Sequence, residues 1–201
     1  MPKIYRDEEK ADATMEIAPL HVHSGIESPI LNTLALRQEQ DLISISRTIE
    51  IITADVTLPT DTTETDLISV SIPGGTLGVN GGVKATLYIG TINDAISNTI
   101  TIRVKYGGTT LITRVSTFDD SNENQGYINL FLLAQGAENL QEASIYYDFR
   151  ATLTAIIINS NVGNSSEDSK QDLDLVVSAQ WTTSDAGNVM VMSHAIIETI
   201  K

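Results

Sequence analysis

Two histidines close together near the start of the chain are the first residues whose types and spacing suggest chemistry. His21 and His23 are separated by one residue, and the chain has 3 histidines in all. On an extended segment, residues i and i+2 project from the same side, so the two imidazoles would be neighbours. Two nitrogens make an incomplete transition-metal site, whereas three parallel chains around a threefold axis would complete it. We therefore expect the pair either to bind a metal shared on such an axis or to form a metal-free docking strand or turn.

A glycine and a Ser-Pro step follow the histidine pair and set the direction of the chain. Gly25 permits a sharp turn, and Ser28 followed by Pro29 is typical of a helix start, with serine as the N-cap and proline at the first helical position. The run after Pro29 has too few clean heptads for a coiled coil, so it predicts a short helix or an extended connector. Residues 1–26 are dense in charge and lack hydrophobic periodicity. We therefore predict an N-terminal attachment arm over residues 1–46.

Motifs for catalysis are missing from the sequence. The glycine cluster PGGTLGVNGG lacks the Gly-Lys-Ser/Thr ending of a phosphate-binding loop, and the segment DDSNENQG has Phe131 where a calcium loop needs its glutamate. No serine, histidine and aspartate fall in a triad context, and no pair of carboxylates is placed for acid–base work. The sequence therefore predicts a non-enzymatic protein in which both segments are turns.

The charge balance limits the partners that the chain can have. Its 201 residues carry a net charge of −14, from 26 acidic and 12 basic residues. The basic residues are scattered, whereas nucleic-acid binding needs a concentrated basic face, so we expect no nucleic-acid partner. The chain has 0 cysteines for a disulfide or a thiolate metal site. No segment is long and apolar enough to span a membrane, so we expect no membrane partner.

From residue 47 onward the hydrophobic period changes to two, which is typical of β-strands. The segment NTITIRVKY alternates apolar and polar residues, and Gly107 and Gly108 behind it predict a hairpin turn. Similar runs between glycine-containing turns give roughly eight or nine strands. This pattern predicts an all-β domain over residues 47–201, an antiparallel β-sandwich of the jelly-roll type.

Several apolar residues fall on strand positions that we expect to face outward. An exposed apolar sheet surface is typical of an interaction site. A small homotrimer would cover such a surface without any ligand. The expected subunit-interface residues are Ile156, Ile158, Met190, Met192 and Ile196.

Two stretches of the chain resemble virion proteins of tailed bacteriophages. The stretch HVHSGIESPIL is similar to the H-x-H-x-G-x-x-S-P segment near the start of many such proteins, and SVSIPGGTLGVNGGVKATLYIG with NTITIRVKYGGTTL resembles the β-sandwiches of head-fibre, decoration and tail-fibre proteins. The resemblance implies a trimeric, non-enzymatic virion component, assembled in the host cytoplasm and attached through its arm to capsid or tail proteins. In trimeric phage fibres such histidine pairs can bind a metal on the axis, and His21 and His23 are the matching positions here. The residues that match the attachment motif are His21, His23, Gly25, Ser28 and Pro29.

A binding function of another class remains open beside the structural one. The chain has no repetitive shaft, which favours a short surface knob over a long receptor-reaching fibre. A glycan-binding module for adhesion to the host surface is the alternative. Aromatic residues make up only 5% of the chain, which disfavours a platform for stacked sugars, although a few tyrosines could still provide one.

Overall fold

A computed structural model describes residues 47–93, 98–117, 124–152 and 155–200, with the side chains of residues 117, 124, 150–152 and 155–161 left out of the description. The chain divides into two units, Met1–Ile45 and Ser46–Lys201, and all described residues belong to the second. The predicted arm over residues 1–46, with its possible helix, therefore lies outside the described residues and stays a prediction.

Eleven β-strands form within the described ranges, and the helix content of these ranges is nil. The expectation of an all-β domain is therefore confirmed for this part of the chain. The strands are β1 Thr48–Ile52, β2 Val56–Leu58, β3 Thr65–Ile72, β4 Gly82–Asn93, β5 Thr99–Tyr106, β6 Thr109–Thr117, β7 Asn124–Ala137, β8 Leu140–Thr152, β9 Ala155–Ser165, β10 Leu173–Trp181 and β11 Val189–Ile200.

The strands pair into two antiparallel sheets. The larger has seven strands in the order β1-β11-β4-β7-β8-β9, with β2 also pairing with β11. The smaller has four strands in the order β3-β10-β5-β6. Because the side chains of a strand alternate between its two faces, each sheet presents one apolar face to a shared core and one face away from it. The predicted antiparallel β-sandwich is thus present.

Alternation along the central strands fills the core. In β5, Ile102 and Val104 are fully buried, as are Val177 and Trp181 of the neighbouring β10. Burying a large apolar side chain stabilises a fold by about 1.5–3 kcal/mol, so the regular alternation read in the sequence accounts for the sandwich. The hairpin turn is also where the sequence predicts it, because Gly107 and Gly108 have φ of 58° and 85°, which favour glycine.

Strand β11 departs from simple alternation, and this corrects one prediction. Met190 and Met192 are fully buried in the core, so the expectation that they face outward at a subunit interface is wrong. The pairing of β11 with β4 shifts between Met192 and His194, where a β-bulge inserts one residue. Before the bulge the even-numbered residues point inward, and after it the buried residues are Ala195 and Ile197. Residues of one parity therefore lie on both faces of β11.

Candidate functional site

The side of the seven-stranded sheet that points away from the four-stranded sheet is the candidate site, and we call it the outer face. Strand register aligns its residues in rows across the sheet. One row runs through His194, Tyr88, Tyr127 and Asp148, which are paired in that order on β11, β4, β7 and β8. Strands that are distant in sequence thereby place aromatic side chains next to one another.

Four aromatic side chains of this face form two ring pairs, together called the aromatic patch. The Tyr88 ring and the His194 imidazole are stacked, with centroids 4.2 Å apart and planes at 17°. Ser193 fixes this pair, because its Oγ donates to the Tyr88 carbonyl oxygen at 3.2 Å and lies 3.0 Å from His194 Nδ1. The rings of Tyr127 and Tyr146 form the second pair, with centroids 6.4 Å apart and planes at 39°. Tyr88 is the most open of these residues, at 37% exposed.

Polar groups lie within and beside the aromatic patch. Thr86 Oγ1 donates a hydrogen bond of 2.9 Å to Asn129 Oδ1, in the row next to Tyr88 and Tyr127. This bond uses the carbonyl oxygen of Asn129, so its amino group is left as a donor for a further partner. Asp148 is 7% exposed, and its Oδ1 has no hydrogen-bond partner among the described residues. A buried acceptor without a donor costs about 1–3 kcal/mol, so this carboxylate has an unused binding capacity.

Apolar side chains also lie on the outer face in the row of Thr86 and in the rows beyond it, among polar residues such as Lys84 and Glu198. Gly82 lies beneath Leu133 and Ile200, since a β-carbon at residue 82 would be 2.5 Å from Leu133 Cδ2 and 3.4 Å from Ile200 Cδ1. The exposed fractions of Ile51 on β1 and Val162 on β9, the two edge strands of this sheet, are 59% and 56%. We call this surface the apolar patch, and it consists of Ile51, Phe131, Leu133, Val162, Ile196 and Ile200.

The predicted interface residues fall into three groups. Ile196 lies on the outer face beside Ile51 and is half-buried. The backbones of Ile156 and Ile158 belong to β9 and pair with β8, but their side chains are outside the description. Met190 and Met192 are in the core, as described above. The attachment and metal residues His21, His23, Gly25, Ser28 and Pro29 lie outside the described residues.

The aromatic patch was not predicted as a site from the sequence. A signal was present in the alternation, because Tyr88 follows Lys84 and Thr86 on the polar side of β4. A tyrosine on that side is directed away from the core and is free for binding. What the sequence does not contain is the register that brings Tyr127 and Tyr146 next to it.

The outward side of the four-stranded sheet is polar and internally paired. The Glu64 carboxylate accepts hydrogen bonds from Lys105 Nζ at 2.6 Å and from Arg103 Nη1 at 3.1 Å. Ser178 Oγ also donates to this carboxylate, and Arg103 donates to Gln180. The pKa of Glu64 is lowered, first by the hydrogen bond from Lys105 and then by that from Ser178. Partial burial opposes this shift, and the positive charges of Arg103 and Lys105 add to it. Because these charges satisfy one another, this network is a structural feature of the sheet.

Within the described ranges, no group of three or more His, Cys, Asp or Glu side chains is arranged to hold a metal ion. The same part of the chain contains no helix with the length and hydropathy needed to cross a membrane. Neither observation bears on the histidine pair, which lies outside these ranges.

Comparison with known proteins gives distant structural likenesses. No family model matches the chain, and no curated protein matches it. Among solved structures, the CBM2 module of the Lactobacillus casei BL23 phage J-1 evolved Dit has a TM-score of 0.42 and 6% identity, over 76% of this chain and 95% of that one. A Lotus tetragonolobus seed lectin has a TM-score of 0.37 and 7% identity, over 77% and 92%. The VP2 subviral particle of infectious bursal disease virus has a TM-score of 0.31 and 14% identity, over 78% and 32%. None of these likenesses assigns a family or a function to the chain.

Proposed function

We propose that this chain is a non-enzymatic structural protein of a bacteriophage virion, a head decoration, head fibre or short tail fibre. Residues 1–46 attach it to capsid or tail proteins, and the β-sandwich is displayed outward as a homotrimeric knob. The apolar patch is the observation that carries this proposal. Its residues are spread across the sheet, with Ile51 and Val162 more than half exposed on the two edge strands, and a neighbouring copy of the same surface would cover them.

The positions around the apolar patch support the choice of interface. Ile196 is part of the patch, and the backbone register places Ile156 and Ile158 at the far side of the same sheet, on β9. These three residues remain the proposed interface, whereas Met190 and Met192 do not. The opposite sheet is a poorer interface because its outward charges, centred on Glu64, are already paired with one another.

We infer that the sandwich is a jelly roll with one added hairpin. Strands β2, β11, β4 and β7 form one four-stranded layer, and β3, β10, β5 and β6 form the other. Two such interleaved layers are the arrangement of a double Greek key of eight strands. The hairpin β8–β9 then extends the first layer at its edge, and this added area carries Tyr146 and Val162 of the outer face.

The histidine pair keeps its proposed role in the N-terminal arm. His21 and His23 from three chains either bind one transition metal on the trimer axis or pack in an ordered turn. Neutral imidazole is the binding form, so a bound metal is released as the pH falls below about 6. Elemental analysis of tag-free protein is expected to find one metal per three chains, and His21→Ala is expected to lose it. Metal-free trimers whose attachment to the particle survives alanine at both His21 and His23 would reduce the motif to ordinary loop chemistry.

Particle attachment tests the structural function directly. Gold-labelled antibody against the purified protein should decorate intact phage particles made by a host that expresses the chain. Deleting residues 1–26 should leave a folded sandwich and abolish this labelling, because no core residue is expected there. Unchanged labelling after the deletion would show that the arm is not the anchor.

A second candidate function, glycan binding at the host surface, is favoured by the aromatic patch. Tyr88, Tyr127 and Tyr146 are collected on one face although the chain is poor in aromatic residues. Tyrosine combines an apolar ring with a hydrogen-bonding hydroxyl, which suits surfaces that bind polar ligands. The two functions would use adjoining parts of the outer face, because Ile51 and Ile196 lie one row away from Tyr88 and Tyr127.

A further inference from the structure

The tyrosines of adjacent strands on the outer face turn away from each other. Tyr88 and Tyr127 are directly opposite in the β4–β7 pair, where β-carbons are only about 5 Å apart. Yet the Tyr88 ring stacks on His194, and the Tyr127 ring pairs with Tyr146, on the other side. The two ring pairs therefore flank the boundary between β4 and β7. We propose that this boundary, between the rings of Tyr88 and Tyr127, is a binding subsite for one ring of a neutral saccharide.

The rings of Tyr88 and Tyr127 match the apolar C–H groups of a sugar ring. A hexose presents C–H groups on its ring faces, and these apolar groups pack against aromatic π-systems. The Tyr88 ring is stacked on His194 of β11, and β7 pairs with β4 on the side opposite β11. The Tyr88 ring is restricted before a ligand arrives because it stacks on His194, whose Nδ1 lies 3.0 Å from Ser193 Oγ, so little conformational entropy is lost on binding.

The polar groups beside these rings match the hydroxyl groups of a sugar. A sugar carries hydroxyl groups around its rim, and each needs a donor or an acceptor when it leaves water. The Asn129 amino group, free of the bond that Thr86 makes to the carbonyl oxygen, supplies a donor in the adjacent row. The tyrosine hydroxyls supply further donors and acceptors. Aromatic walls with a few fixed polar groups are typical of small-ligand sites.

The charges of the site select an uncharged ligand. Asp148 lies next to Tyr127 in the same row, and its Oδ1 has no hydrogen-bond partner among the described residues. The whole chain has a net charge of −14. A carboxylated or sulfated sugar would be repelled by both. The ligand class is therefore a neutral hexose-based glycan, and this inference gives the second candidate function its site.

Saturation-transfer NMR with the purified full chain tests the subsite. The probes are methyl glycosides of glucose, galactose and mannose, N-acetylglucosamine, and neutral trisaccharides built from them, with sialyllactose and trigalacturonate as anionic counterparts. At least one neutral probe is expected to bind saturably, and the anionic probes are not. Tyr88→Ala should weaken that binding about tenfold or more, which is the effect of losing one stacked ring, and Tyr127→Ala should do the same.

The control is Val115→Ala, which alters an exposed residue on β6 of the other sheet. Its binding should equal that of the wild-type chain. Circular dichroism checks each variant for folding, and Tyr88→Ala is decisive if Tyr127→Ala does not fold, because Tyr88 is the more exposed ring. Absence of binding by every neutral probe, preference for an anionic probe, or unchanged affinity in Tyr88→Ala would overturn the subsite.

The outcome is separable from that of the structural function. Oligomeric mass is measured on the same samples without any sugar. A trimer that binds no neutral sugar would refute the subsite alone, whereas a monomer that binds one would refute the homotrimer alone.

Discussion

Gly163 of β9 and Leu111 of β6 belong to different sheets, yet their backbones lie so close that a β-carbon at residue 163 would overlap the Leu111 carbonyl oxygen. This contact closes one side of the sandwich, where the added hairpin β8–β9 meets the edge of the smaller sheet. Only glycine permits such an approach of two backbones.

Gly163→Ala is therefore expected to destabilise the protein by about 2–3 kcal/mol, because one of the two strands must move to accept the methyl group. Gly90→Ala is the matched control, since a β-carbon there would meet Ser193 Cβ at an ordinary 3.5 Å. Urea unfolding followed by circular dichroism measures both variants. Equal midpoints for the two would show that β6 and β9 do not constrain each other.

The Glu64 network gives a prediction about acid. The pKa of this carboxyl is lowered in the folded protein, chiefly by the hydrogen bonds from Lys105 and Ser178, so its contribution to stability is present above the unfolded value of about 4.3 and is lost as the pH falls through the folded value. Glu64→Gln should lower the free energy of unfolding by about 1 kcal/mol at neutral pH, since the group is partly exposed.

The pH dependence separates this effect from a simple loss of packing. The stability difference between wild-type and Glu64→Gln protein should shrink below about pH 4, where the wild-type carboxyl takes up its proton. Glu50→Gln, at an exposed position of β1, should leave stability unchanged at neutral pH. A Glu64→Gln deficit that persists unchanged in acid would argue against a charge contribution.

The buried phenol of Tyr106 gives a prediction about alkali. Burial, with the nearby charges of Glu167 and Asp168, raises the pKa of Tyr106 to about 12. The unfolded chain releases this proton near pH 10, so the contribution of Tyr106 is fully present below about pH 10 and is lost as the pH rises toward the folded value. Tyr106→Phe should remove part of the alkaline loss of stability, measured by thermal unfolding between these pH values. Parallel stability curves for the two proteins would count against this account.

The fold could be predicted from the sequence wherever the physics is local. Alternation in β5 and the Gly107-Gly108 turn depend on neighbouring residues, and both are present as predicted. The bulge of β11 is different, because it depends on the pairing of this strand with β4. Met190 and Ile196 are both even-numbered and would share a face in a regular strand, but the bulge leaves Met190 in the core and Ile196 on the outer face. A single inserted residue reverses every side chain after it.

The candidate site could be predicted only in part for the same reason. Ile196 was expected on an outward surface from its own strand, and it lies there. The aromatic patch joins Tyr88, Tyr127 and Tyr146 from three strands, and their adjacency follows from register, which hydrophobic alternation does not specify. The low aromatic content of the sequence suggests scattered rings, whereas the pairing of β4, β7 and β8 brings three of them together.

The homotrimer built on the apolar patch is the central claim, and sedimentation equilibrium of the purified full chain at micromolar concentration tests it most directly. The wild-type protein should sediment at three times its 21.7 kDa chain mass. Ile196→Lys, which places a charge in the patch, should reduce the mass to that of one chain or make the protein insoluble. Val115→Lys, at an exposed position on β6 of the other sheet, should remain a trimer. A folded, soluble wild-type protein that sediments as a single chain would contradict the account.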